Sequence, residues 1–285
     1  MATFSFRGWR LHYSEFPAQA PGRGRRRSAY PLIVVHGVLL SQRLYWPLAR
    51  ELAAKGHRVI TVDLLGHGRS ERPQEPALYS IDCFADQLKE LLDHLDLPEA
   101  AFFGTSMGAN ACLAFALKEE ARARALVLEM PVLEQALIGG ATLLTPVLLA
   151  LRRAGFAFDA LAQGLRLLPQ RLAPHYLNAL LDPLRDRPSE RAVVLHGLFY
   201  GALGPTAAQR SALQVPTLVI GHRFDPLHPY ADAKRLAGEL PAGRLLEART
   251  PLELRLLPAR LLGEVNAFLK EAWAAPRLSA APVAA

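Results

Sequence analysis

The sequence predicts an α/β fold: a mostly parallel sheet flanked by helices, with a helical insertion towards the second half of the chain. Three observations carry this. Strand-like and helix-like segments alternate up to about residue 130. Several strand-like runs, such as Leu32-Ile33-Val34-Val35 and Ala100-Ala101-Phe102-Phe103, are apolar throughout, as expected of strands covered on both faces. Between Pro131 and Pro205 the alternation lapses into Leu, Ala and Arg at helical spacing, and it resumes at Pro216.

Taken in order, Phe4 to Trp9 and Leu11 to Phe16 alternate like an opening strand pair. An Arg-rich run, Arg23 to Arg27, separates them from the strand Leu32 to Val35, which ends at His36-Gly37. Trp46 to Lys55 reads as a helix stopped by Gly56, and Arg58 to Asp63 as the next strand. From Ile81 to Leu95, Phe84, Leu88, Leu91, Leu92 and Leu95 share one helical face. The strand Ala100 to Phe103 follows, then a helix over Ala109 to Lys118 and a strand over Ala125 to Glu129. Beyond the insertion come strands at Pro216 to Gly221 and Arg244 to Ala248. A closing helix over Ala259 to Trp273 aligns Leu261, Leu262, Val265, Phe268 and Leu269. The division expected is a core from residues 1–130 and 206–275, a helical segment 131–205, and a frayed tail 276–285.

With 285 residues, 51% of them apolar, the chain can bury a sizeable core. Its net charge of +7 comes mostly from arginine. The Arg23–Arg27 run has no interleaved aromatic residues, which reads as a solvated loop and argues against nucleic-acid binding. Cys83 and Cys112 sit in apolar helical patterns and are expected to be buried thiols of a reducing compartment. The N-terminus carries no apolar signal core. The longest uncharged stretch, Ala136 to Leu151, falls short of the ~20 residues a span needs and is interrupted by Gly139, Gly140 and Pro146. These features predict a cytoplasmic protein without stable membrane insertion. No His, Cys or Asp cluster has metal-ligand spacing, and neither a G-x-G-x-x-G turn nor a P-loop is present, so no metal or cofactor is expected.

The chemistry concentrates at Gly104-Thr105-Ser106-Met107-Gly108, a G-x-S-x-G segment between a buried strand and a helix. Such a turn exposes the serine, and it needs glycines because a Cβ on either side would crowd it. The helix start leaves backbone N–H groups beside the hydroxyl, where negative charge develops in acyl transfer.

With Val35-His36-Gly37-Val38, Asp63-Leu64-Leu65-Gly66-His67-Gly68-Arg69-Ser70, and Val215 to Gly221 followed by Asp225, this segment resembles the α/β-hydrolase family over nearly the whole chain. The resemblance implies an eight-stranded sheet with residues 131–205 as its lid, and ester-type hydrolysis. It implies Ser106 as nucleophile, the N–H groups of Val38 and Met107 as oxyanion hole, and Asp225 as the acid. Glu129 occupies a second place where the family can hold its acid. His36 is expected to shape the oxyanion loop and His67 to be structural. Ser106 in place of an aspartate argues against epoxide hydrolases and haloalkane dehalogenases.

One member departs. The family's histidine follows the last strand, about seven residues before a proline that opens the final helix. Counting back from Pro258 reaches Thr250-Pro251, and no histidine follows His228. A serine without a base is a weak nucleophile, so the base has moved or the activity is lost. His228 and His222 are the candidates for a relocated base. Asp225, three positions from His228, looks too close to orient it, which would leave Glu129 as the third member. Thr250-Pro251 reads as the start of a short helix, with Glu253 and Arg255 able to pair locally.

The apolar lid residues Leu137, Ile138, Leu143, Leu144, Val147, Leu148, Leu149, Phe156 and Phe158 point to an acyl chain or small apolar ester, or to ordinary lid packing. Arginines 152, 153, 166 and 171 face solvent or an anionic head group. The function expected is carboxylic ester hydrolysis through an acyl-enzyme. The alternatives are a non-hydrolytic protein binding an apolar ligand, and a C–C hydrolase or acyltransferase built on the same turn.

Overall fold

The computed structural model describes residues 2–19, 30–167, 174–185 and 187–276. The Arg23–Arg27 run, Arg171 and residues 277–285 lie outside them, as do the side chains of Leu137, Ile138, Leu143, Leu144 and Arg152.

In chain order the strands are β1 (Ala2–Phe6), β2 (Trp9–Phe16), β3 (Tyr30–Val35), β4 (His57–Asp63), β5 (Ala100–Thr105), β6 (Ala123–Glu129), β7 (Thr217–His222) and β8 (Gly243–Ala248). The helices of the first half are α1 (Trp46–Ala54), α2 (Ile81–His94) and α3 (Met107–Lys118). Between β6 and β7 run α4 (Glu134–Arg153), α5 (Gly155–Leu167), α6 (His175–Arg185), α7 (Pro188–Tyr200) and α8 (Ala207–Ala212). α9 (Tyr230–Glu239), α10 (Glu253–Leu256) and α11 (Ala259–Ala274) complete the chain. The eight strands form one sheet in the order β1-β2-β4-β3-β5-β6-β7-β8. β2 pairs antiparallel with β1 and β4, and every other pairing is parallel.

The hairpin between β1 and β2 turns at Arg7 and Gly8, both with positive φ, the backbone a tight two-residue turn requires. In the central strands the apolar runs serve two faces. Phe102, Ile33, Leu126 and Val219 pack with Phe84 and Leu88 of α2 and Phe115 of α3. Their neighbours Phe103, Leu32, Val127 and Leu218 pack with Leu52 of α1 and Val265 and Leu269 of α11. All six residues of β5 are buried, and so are all six of β7. Burial on both faces is why these segments do not alternate in sequence. Cys83 and Cys112 are buried free thiols. Desolvation raises the Cys112 thiol out of the range where it would ionise.

α4 to α7 fill residues 134–200 with no strand among the described residues. Pro146 lies inside α4, which continues through it, although Gly139, Gly140 and Pro146 read as interruptions in the sequence. Val194 and Leu198 of α7 join the core beneath, while Leu148 and Phe158 pack around Leu151, Ala192 and Leu195. Val147, Leu149 and Phe156 are exposed. No described helix is long and apolar enough to cross a membrane.

Candidate active site

Register sets the position of Ser106. β5 ends at Thr105, which pairs with Glu129 of β6, and the Ser106 N–H donates to the Glu129 carbonyl at 2.9 Å. Ser106 then takes φ 55° before α3 begins at Met107. A non-glycine residue with this backbone is strained and persists only where its surroundings impose it. The imposed contacts are close. A Cβ on Gly108 would fall 2.5 Å from the carbonyl oxygens of Val35 and His36, and one on Gly104 would overlap the backbone of Gly108. Gly108→Ala is therefore expected to destabilise the fold by about 3 kcal/mol. Urea denaturation of the variant checks this, and an unchanged midpoint would show that the turn relaxes freely.

β3 lies beside β5, with Val35 opposite Gly104, so the chain leaving β3 passes the serine. A Cβ on Gly37 would stand 3.5 Å from Ser106 Cβ. His36 is fully buried. Its Nδ1 donates to the Gly37 carbonyl at 2.8 Å, and its Nε2 accepts from the Leu64 N–H at 3.1 Å. Burial lowers its pKa against the opposing pull of Asp63, which keeps it neutral and holds this tautomer. Through these two bonds it braces the Gly37–Val38 turn. Neither the Val38 nor the Met107 N–H has a backbone partner among the described residues, and both residues line the cavity on which Ser106 opens. His67, also buried, bonds the Leu65 carbonyl and is held well below its usual pKa by burial.

The loop after β7 brings the other two groups. His228 Nε2 stands 2.9 Å from Ser106 Oγ. His228 Nδ1 stands 2.9 Å from Asp225 Oδ2. The second Asp225 oxygen accepts the backbone N–H groups of Leu227 at 2.8 Å and His228 at 3.1 Å. Burial would raise the Asp225 carboxyl, but His228 and those two N–H groups together hold it below the usual carboxylate value. With the Nδ1 proton directed at this carboxylate, Nε2 is left as the acceptor for the serine hydroxyl.

Here the structure corrects the expectation that Asp225 is too close in sequence to orient His228. The carboxylate folds back over its own turn, caps two N–H groups, and reaches the ring of the residue three positions on. Glu129 and His222 are drawn into a different cluster. Glu129 is fully buried and meets Arg255 through two hydrogen bonds, at 2.6 and 2.7 Å. It also accepts from Thr105 Oγ1 at 2.8 Å. His222 Nδ1 bonds the Thr250 carbonyl at 2.8 Å, and its Nε2 lies 3.4 Å from Glu129. Among the described residues neither the Glu129 nor the His222 side chain bonds the His228 ring or Ser106 Oγ; Glu129 meets Ser106 only through its backbone carbonyl. Burial would push the Glu129 carboxyl up, yet Arg255 and His222 hold it well below the ordinary range. Burial likewise opposes the charge on Arg255, and Glu129 overrides it.

Arg255 is the residue that sequence reasoning misplaced. The local partner expected from the sequence, Glu253, pairs instead with Arg260 and receives the Arg249 N–H. Nor does Thr250 cap a helix: α10 starts at Glu253, behind a turn ending in Leu252. One signal was available, because residues two apart on a helix do not face each other.

Ser106 and His228 open on a cavity of about 500 Å³ whose walls are largely apolar, including Val132, Leu195, Leu198, Leu203 and Leu227. Tyr45 and Arg255 contribute polar groups to it.

Residues 30–250 match the family model described as alpha/beta hydrolase fold. Among curated relatives, the chain is 37% identical over 103 residues to 2-hydroxymuconate semialdehyde hydrolase of Pseudomonas sp. (strain CF600), a match covering 35% of this chain and 36% of that protein. Over 234 residues it is 28% identical to the AB hydrolase superfamily protein YisY of Bacillus subtilis (strain 168), covering 75% of this chain and 80% of the other. Thus the match to the first spans about a third of that relative, and the match to the second spans most of it. The enol-lactonase from Burkholderia xenovorans LB400 superposes with a TM-score of 0.74 at 20% identity, covering 94% of this chain and 100% of that one. A meta-cleavage product hydrolase from Pseudomonas fluorescens IP01 does so with a TM-score of 0.70 at 19% identity, covering 95% and 98%.

Proposed function

We propose, from the premise that this chain belongs to the α/β-hydrolase fold family, that it is a serine hydrolase cleaving carboxylic esters with an apolar acyl part. The observation carrying this reading is the continuous line from Ser106 Oγ to His228 Nε2 and from His228 Nδ1 to Asp225, each link 2.9 Å. Ser106 Oγ attacks the ester carbonyl as its proton passes to His228 Nε2. The carbonyl oxygen, now negative, sits against the N–H groups of Val38 and Met107. A donor of this kind is worth ~100–1000-fold in rate. Asp225 stabilises the imidazolium, which gives its proton to the departing alcohol. Water then attacks the acyl-Ser106 ester, His228 takes its proton, and a carboxylic acid and free Ser106 result. The apolar walls of the cavity favour an apolar acyl group over a charged one.

The likeness to a 2-hydroxymuconate semialdehyde hydrolase favours a second reading, hydrolysis of a carbon–carbon bond beside a carbonyl. A fluorophosphonate probe tests what the two readings share. Wild type is expected to be labelled and Ser106→Ala not. An unlabelled wild type whose turnover of p-nitrophenyl acetate equals that of Ser106→Ala would leave a ligand-binding protein. Comparing p-nitrophenyl esters with a vinylogous 1,5-diketone separates ester from carbon–carbon cleavage.

A further inference from the structure

A second cavity, of about 590 Å³, lies on the far side of the loop that follows β3. Leu40 lines both cavities, so the Gly37–Leu40 segment is the wall between them. The character of the second is different. Four arginines line it, Arg43, Arg69, Arg166 and Arg185, against two carboxylates, Asp63 and Asp182.

Both carboxylates are already committed. Asp63 Oδ1 accepts the Gln42 N–H at 2.8 Å, and its Oδ2 accepts Gln42 Nε2 at 2.9 Å and the Arg69 N–H at 3.1 Å. Asp182 binds Arg185 at 2.7 Å and Arg43 at 3.2 Å. Among the described residues two cations therefore remain without a matching acid. The Arg69 guanidinium makes no hydrogen bond to the described residues. Arg166 spends only its Nε, on the Arg185 carbonyl at 2.8 Å, which leaves its terminal nitrogens open. Trp46 also lines the cavity, and its indole N–H is buried without a hydrogen-bond partner among the described residues. Among the described residues the wall carries the unspent donors of Arg69, Arg166 and Trp46 with an excess of positive charge, and no free acceptor carboxylate lines it. Guanidinium groups in such a concavity select planar or tetrahedral oxyanions, which take paired N–H donors and supply the missing charge.

We propose that this cavity binds the anionic group, phosphate or carboxylate, of a small molecule, held between Arg69 of the core and Arg166 of the helical segment. Its position beside the Val38 turn places the anion next to the wall of the Ser106 cavity. The anion is either the far end of the substrate that Ser106 attacks, which rests on the hydrolase reading, or a separate ligand, which does not.

Titration calorimetry with sodium pyrophosphate, at ionic strength held constant with sodium chloride, tests the site on the full chain. Saturable binding is expected in wild type and equally in Ser106→Ala, so the outcome does not depend on catalysis. In Arg69→Ala/Arg166→Ala the affinity is expected to fall at least about tenfold. Arg50→Ala/Arg244→Ala removes the same charge elsewhere and should retain it. No saturable binding in wild type, or equal weakening in the two double variants, overturns the proposal. The source of the anion is read from competition. If pyrophosphate competes with the p-nitrophenyl monoester of sebacic acid but not with p-nitrophenyl acetate, the site takes the substrate's own anionic end. An equal effect on both esters assigns it to a separate anion. Either pattern supports the site.

Discussion

Replacing His228 with alanine is expected to lower kcat on p-nitrophenyl esters by on the order of 10⁶-fold, the scale on which serine hydrolases depend on their base. The same change at His222 should cost far less, and through stability. The prediction is sharp because the two histidines are six positions apart and both close to the end of β7, yet only His228 reaches Ser106 Oγ, at 2.9 Å. Asp225→Asn should fall between them, at ~10⁴-fold, by favouring the wrong imidazole tautomer. Steady-state kinetics of the three variants, with circular dichroism to show that each is folded, decide the matter. Equal losses for His228→Ala and His222→Ala would mean that the histidine poised at the serine is not the base. Residual activity in His228→Ala is expected to remain well above that of water, since the Val38 and Met107 N–H groups are untouched.

Arg255→Met is expected to destabilise the fold by about 3–5 kcal/mol, because it strands a buried carboxylate. Glu129 has no exposed surface, and both of its oxygens face Arg255. The double variant Glu129→Gln/Arg255→Met should recover most of the loss. A double variant no more stable than Arg255→Met would show that lost packing, not the stranded charge, is the cause. The pH dependence carries a second test. In wild type the folded-state pKa of Glu129 lies below that of the unfolded chain, so the unfolded state binds more protons as pH falls. The pair's contribution is whole above the ordinary carboxylate range and is lost as pH drops through the folded value. Without Arg255, burial raises the Glu129 carboxyl instead, and acidification should then stabilise the variant by neutralising it. Urea midpoints across the acid range should slope in opposite directions for the two proteins.

The elbow and the strand sequence were legible because both rest on local rules. Gly104 is required by contacts its own turn creates and Gly108 by the adjoining end of β3, a need that the spacing of the motif records locally, and β5 and β7 show their double burial directly as unbroken apolar runs. The histidine that meets Ser106 was legible only as a choice between His222 and His228. Which of them points inward depends on how residues 223–229 coil, and that is set by the carboxylate of Asp225 gathering two N–H groups, which no periodicity records. Arg255 was hidden for a different reason. Its partner is 126 positions away, at the end of a strand that only the sheet order brings near. The arginine-lined cavity was equally hidden, since it draws on the β3–α1 connection, the Asp63–Ser70 loop and two helices of the insertion.

Asp225 and His228 share one short turn, which makes the proposed catalytic pair portable. When a histidine sits beyond a last strand and its acid beyond another, moving them means re-creating the geometry of two strand ends. Here Phe224 to Pro229 holds both groups and the N–H contacts that aim them, so a protein engineer can transplant the pair as a single hexapeptide. The same economy has a cost for the gene: one small in-frame deletion removes acid and base together. It also relieves the stretch after β8 of supplying an acid or a base, leaving it the tasks of burying Val265 and Leu269 and of bringing Arg255 to Glu129.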